Sequence, residues 1–156
     1  MSEFHDQITS LLKNSADREG PLKKILGLVL AHFKSETGTI HLLDSEKQLL
    51  HLAAESGLPP AMLAMVKTIP IGKGIAGQVI ARGGPVTICN LQTDNSGVSR
   101  PDAKQSGVGG ALCVPVRNGE KIVGTIGVGT IRPYEYTPEE THALEEIGRL
   151  IGAQFA

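Results

Sequence analysis

The chain has 156 residues, 15 basic and 16 acidic, with a formal net charge of −1. That length predicts one domain with room for a real core. The even charge, with no basic run, excludes the electrostatic footprint of a nucleic-acid binder. Two cysteines far apart, Cys89 and Cys113, exclude a disulfide scaffold or a zinc ribbon and point to a reducing compartment.

The opening residues, MSEFHDQITS, are acidic and mixed, unlike a signal peptide. No apolar run approaches the roughly 20 residues that span a bilayer. A cytoplasmic protein with neither a nucleic-acid nor a membrane partner is therefore expected. The Met1 start is what a free-standing protein would show.

Phe4, Ile8, Leu11 and Leu12 form one helical stripe, so a short amphipathic helix opens the chain. Gly20-Pro21 breaks it and starts a second helix, because proline suits a first helical turn. Leu22, Ile25, Leu26, Val29, Leu30 and Phe33 recur there at helical spacing, a complete core-facing stripe. Residues 39–43 and 49–54 flank a polar turn and read as a hairpin. A short helix over 61–66 follows, then an extended stretch over 68–71, because Ile69 precedes Pro70. Residues 75–82 predict another short helix, stopped by Gly83-Gly84-Pro85, and 86–89 a short strand.

Residues 90–110 are polar and poor in apolar anchors, a long loop of the kind that covers sites. Residues 111–117 and 121–130 then form a second hairpin around Asn118-Gly119. In its second strand Ile126 and Val128 occupy one face. Val123, Thr125, Gly127 and Gly129 occupy the other, which is small enough for close backbone approach, so helices are expected there. Thr137-Pro138-Glu139-Glu140 is a capping box with proline at the first helical position, and Leu144, Ile147, Leu150 and Ile151 give the final helix its stripe. The order predicts an α+β fold, with a mostly antiparallel sheet between a helical face and a loop-bearing face.

Three segments carry a family resemblance. They are Ile71-Gly72-Lys73-Gly74-Ile75-Ala76-Gly77-Gln78-Val79 with Gly84-Pro85-Val86, then Ala111-Leu112-Cys113-Val114-Pro115-Val116, then Val123-Gly124-Thr125-Ile126-Gly127-Val128 leading to Tyr136-Thr137-Pro138. In this order the chain resembles a GAF domain. The resemblance implies terminal helices on one face of the sheet, a ligand pocket with short helices and a long loop on the other, and a role in sensing and dimerisation. It divides the chain into an amphipathic helix over 1–20, a dimerisation candidate, and a GAF-like domain over 21–156. It also implies a pocket lined by Ile75, Ala76, Gly77, Asn90, Asp94, Arg100, Ser106 and Cys113.

The family includes free methionine-(R)-sulfoxide reductases. The resemblance places one of their cysteines at Ala76 and a second near Asp102, and both are absent. Cys89 and Cys113 then read as structural, since the reaction needs a nucleophilic thiol. The Asn-Lys-Phe-Asp-Glu signature of cyclic-nucleotide binders cannot be complete, because phenylalanine occurs only at Phe4, Phe33 and Phe155. Neither cysteine sits beside a histidine, as a bilin-binding relative requires. His32 and His142 lie on helices away from the expected pocket, so a haem ligand is not expected. Tyr134 and Tyr136 are the only aromatics outside the terminal helices, too few to stack a flat cofactor.

Gly72-Lys73-Gly74-Ile75-Ala76-Gly77 matches the dinucleotide fingerprint, but the helix after it is too short, and it reads as a turn. Its free N–H groups could still hold an anion or a ligand carbonyl. His41 and His51 lie on paired strands. One register sets them opposite each other and the neighbouring one turns them to opposite faces, and both read as partly exposed. No metal site and no catalytic set is expected.

The stripes of the terminal helices predict a homodimer, with a downstream signalling protein as the second partner. The expected function is a small-molecule-sensing regulatory module in signal transduction. Its ligand is unidentified and no cofactor is expected. A methionine-sulfoxide reductase and a purely structural dimerisation module are the alternatives.

Overall fold

The computed structural model describes residues 2–13, 20–90 and 109–154. Five helices and six strands follow one another as α1 (Ser2–Lys13), α2 (Gly20–His32), β1 (Thr37–Asp44), β2 (Leu49–Ser56), α3 (Pro60–Val66), β3 (Thr68–Pro70), α4 (Gly74–Arg82), β4 (Val86–Ile88), β5 (Ala111–Asn118), β6 (Lys121–Gly129) and α5 (Pro138–Gly152). The strands form one sheet in the order β3-β2-β1-β6-β5-β4, antiparallel at every pairing. The α+β class and the two hairpins stand as the sequence predicts.

Alternation along the central strands gives the sheet two chemically different faces. Ile40, Ile126 and Val114 line up across β1, β6 and β5. With Leu112, Val116 and Val128 they form the broad apolar face of the main core. The helices α1, α2 and α5 cover it with Ile8, Leu12, Leu22, Ile25, Leu26, Val29, Leu144, Ile147 and Ile151. Ile8 and Leu12 of α1 and Leu144, Ile147 and Ile151 of α5 are thus buried in the chain's own core.

Helices α1, α2 and α5 pack on the Ile126–Val128 face of the sheet, and among the described residues α4 and the end of α3 lie on the smaller face, where sequence alone predicts the helices. The close approach is made by glycines of α5 rather than of the strand. A side chain at Gly148 would stand 2.7 Å from the carbonyl oxygen of Pro115. Val123 also leaves its expected face. It sits at a shift in the β5–β6 register, between the pairs Val116–Gly124 and Arg117–Ile122, and packs against the main core.

The local signals behind these elements act as written. The Thr137 side chain accepts the Glu140 backbone N–H at 3.1 Å, and the Glu140 carboxylate accepts the Thr137 N–H at 2.9 Å. The segment between β6 and α5 is held by the ring contact of Tyr134 with Tyr136 at 4.9 Å and by the hydroxyl pair Ser35–Tyr136 at 2.7 Å. Among the described residues, no helix is long and apolar enough to cross a membrane.

Candidate functional site

The other face of the sheet carries a second, smaller core of Leu50, Ile69, Ala76, Val79, Val86 and Cys113, with Leu43, Val66, Ile75 and Ile80 packed against it. The short helix α4 crosses this face between the two edge strands. Its entry turn is tight. The Gly72 N–H donates to the Gly77 carbonyl at 2.9 Å, and the Gln78 side chain donates to the Gly72 carbonyl at 2.8 Å. A Cβ at Gly77 would lie 2.5 Å from the Pro70 oxygen, so only glycine lets α4 come this close to β3. The Gly72 N–H is therefore spent inside the turn. At the far end, the Arg117 guanidinium donates to the Gly83 carbonyl at 2.7 Å and ties α4 to β5.

Beneath this cover, two cross-strand rows meet. Thr39, Gly127, Cys113 and Val86 form one row across β1, β6, β5 and β4. Leu52, His41, Thr125 and Pro115 form the next, across β2, β1, β6 and β5. Gly124, beside Thr125, has no room for a Cβ against the His41 carbonyl, which lets β1 and β6 pair tightly at this point.

His41 is 1% exposed, whereas the side chain of His51 is 46% exposed and lies 3.7 Å from Asp44. The two are not equivalent surface residues. The β1–β2 register shifts between Ile40 and His41, which sets His41 opposite Leu52 and His51 opposite Leu42, on opposite faces. His41 Nε2 lies 2.8 Å from the Val66 carbonyl at the end of α3. A carbonyl only accepts, so Nε2 carries the proton and Nδ1 presents a bare lone pair. Burial pushes the His41 pKa below its ordinary value. The hydrogen bond to Val66 pulls the other way, and His51 adds to the lowering. Among the described residues, Nδ1 is buried without a hydrogen-bond partner, and so is Oγ1 of Thr125, the residue across from His41 on β6. Burial pushes the nearby Cys113 thiol up to about 12, while the approach of the Thr125 hydroxyl and of the Val114 backbone acts the other way; the Thr125–Cys113 approach does not reach hydrogen-bond geometry and leaves Oγ1 unmatched.

Ile75, Ala76 and Cys113 come together in this second core. Gly77 is buried at the turn against Pro70. Asn90 is half-buried just beyond β4 and outside that cluster. Asp94, Arg100 and Ser106 lie outside the described residues. The sequence singles out His41 only with His51, as a partly exposed pair, and it does not single out Thr125 as a site residue. Their signal is alternation within β1 and β6, readable only once the register is known. No group of three or more His, Cys, Asp or Glu with metal-binding geometry occurs among the described residues.

Residues 15–154 match the family model of the GAF domain. The chain is 25% identical over 122 residues to the nitrogen fixation protein AnfA of Azotobacter vinelandii, covering 77% of this chain and 23% of that one. It spans about a quarter of the length of the curated relatives it matches. A structure of the GAF domain of a phosphoenolpyruvate-protein phosphotransferase from Coxiella burnetii superposes with a TM-score of 0.84 at 17% identity, covering 99% of this chain and 91% of that one. A free methionine-R-sulfoxide reductase from Neisseria meningitidis, solved with its substrate, superposes with a TM-score of 0.81 at 20% identity, covering 99% and 87%. At that identity the likeness shows a shared fold. The match over most of its length shows that the chain belongs to the GAF domain family.

Proposed function

We propose that this domain is a small-molecule-sensing regulatory module in signal transduction, without catalysis of its own. The observation that carries the proposal is the pair His41 and Thr125. Two buried polar atoms without partners stand opposite each other beneath α4. An unmatched buried polar group costs about 1–3 kcal/mol, so a fold that keeps two of them gains from a binding partner that satisfies both. Apolar walls with a few placed polar groups are the usual make-up of a small-molecule site. The likeness to the Nif-specific regulatory proteins of Azospirillum lipoferum and Azospirillum brasilense, each 22% identical over 152 residues, supports a regulatory role.

β5 would carry the signal. It presents Cys113 to the site and the Pro115 carbonyl to Gly148 of α5, so a shift of β5 reaches the long helices directly. Ligand can bias that helix only if it binds the two states of β5 with different affinity. In the proposed homodimer the outer sides of α1 and α5 meet, because Ile8, Leu12, Leu144, Ile147 and Ile151 are buried in the chain's own core.

The reductase fold likeness makes catalysis the competing reading. Against it stand Ala76 where the resemblance requires a cysteine, and a Cys113 thiol held protonated by burial. Native mass spectrometry of the protein purified gently from its own cells tests the proposal. A noncovalent small molecule that raises the thermal stability on re-addition is expected. Turnover of free methionine sulfoxide that is lost in a Cys113→Ala variant would refute it.

A further inference from the structure

We propose that His41 and Thr125 select a neutral ligand with an apolar body, whose buried end carries an O–H or N–H donor: an alcohol or a primary carboxamide. The proposal rests on the sensing role assigned above to this face of the sheet and names the class of ligand it takes.

The tautomer decides the first half. With Nε2–H committed to the Val66 carbonyl, Nδ1 can only accept. An incoming carboxylate, ketone or phosphate oxygen would set two acceptors face to face. Thr125 Oγ1 can donate or accept, so a hydroxyl fits both atoms at once, giving its proton to Nδ1 and accepting from Thr125. A primary carboxamide also fits, with its N–H on Nδ1 and its carbonyl on Thr125.

Charge decides the second half. Among the described residues, the titratable side chain that acts on His41 is His51, and it lies on the opposite face of β2. Strand β6 brings Thr125 and Gly127 to the pair, β5 brings Cys113 and Pro115, and α3 (Pro60–Val66) contains no charged residue. The Cys113 thiol is neutral. A buried ammonium would find no counter-charge among these described residues, and an unpaired buried ion is strongly disfavoured. Leu50, Val79 and Val86 among the surrounding side chains supply an apolar wall for the rest of the ligand.

The test uses the full chain with 15N-labelled histidine at pH 7.5. Three probes share a four-carbon skeleton and differ in their polar end: 1-butanol, butyramide and butyrate. Long-range 1H–15N spectra read the state of His41 Nδ1. The expected result is that butanol and butyramide move the Nδ1 resonance upfield in a saturable way. They should bind at least about tenfold tighter than butyrate, since the acid leaves the acceptor pair unmatched. A Thr125→Val variant, which keeps the side-chain shape, should weaken butanol and butyramide binding while giving the same far-UV spectrum, and the preference over butyrate, set at His41 Nδ1, should remain. Butyrate binding equally well at this face would overturn the donor rule while leaving the sensing role standing. A Nδ1 resonance already shifted without any probe and unmoved by all three would mean that a fixed water satisfies the pair, and would also overturn it. No response at His41, Thr125 or Cys113 to any probe would count against the sensing role itself.

Discussion

His41 on β1 and Thr125 on β6 stand directly opposite each other, and each ends in a buried polar atom with no hydrogen-bond partner. The tight β1–β6 pairing at Gly124 brings them together, and the Val66 carbonyl fixes which nitrogen of His41 is left bare. The GAF domain therefore keeps, within an otherwise apolar second core, a pair of polar atoms that stability alone would not select.

Thr125→Val should stabilise the ligand-free protein. It removes an unmatched hydroxyl while keeping the shape, and such changes recover part of a cost of about 1–3 kcal/mol. For a domain of this size, about 1 kcal/mol corresponds to a rise of about 3 °C in Tm. Thermal unfolding followed by circular dichroism checks this, and a fall in Tm would show that Thr125 is matched in solution.

The protein should lose stability as pH falls from 7 toward 5, and His41 should account for part of the loss. Its folded pKa lies below the unfolded value of about 6.5. The unfolded chain therefore binds a proton that the folded one refuses, and stability drops as pH falls through the unfolded pKa. Urea midpoints for wild type and His41→Gln should differ in their pH slope across this window, with the shallower slope in the variant. Parallel slopes would place the titration elsewhere.

The two cysteines should react very differently. Cys89 is exposed and Cys113 is buried, with its thiol pushed up to about 12. At pH 8 a disulfide reagent should therefore modify Cys89 promptly and Cys113 only after denaturation. Rapid native labelling of Cys113 would restore the reductase alternative.

Gly77→Ala should be costly out of proportion to one methyl group. The new Cβ would meet the Pro70 oxygen at 2.5 Å, and that atom belongs to the backbone of β3 rather than to a flexible side chain. A loss of about 2 kcal/mol in urea unfolding is expected, within the ordinary range for an overpacked site. The same variant should weaken retention of any ligand, because α4 covers the site.

Much of this architecture is legible in local chemistry. The Thr137–Glu140 capping box, the Asn118-Gly119 turn and the helical stripe of α2 each specify their element without help from distant residues. The family resemblance names Ala76 and Cys113, and both lie in the second core. His41 is not among the residues it names. Its burial depends on a one-residue register shift between Ile40 and His41, and periodicity in a single strand cannot reveal a shift that belongs to a pair. Val123 is misplaced for the same reason at the second register shift. The helical stripes predict apolar contact but not its partner, and Ile8, Leu12, Leu144, Ile147 and Ile151 find that partner within the chain.

The central claim is that this face of the sheet holds a small molecule through His41 and Thr125. A crystal structure of the protein with the compound it retains from its own cells tests it most directly. The account predicts a ligand beneath α4, with a donor atom within hydrogen-bond distance of His41 Nδ1 and a second polar contact to Thr125. A retained compound bound elsewhere, or a side chain of the protein itself seated against both atoms, would contradict it.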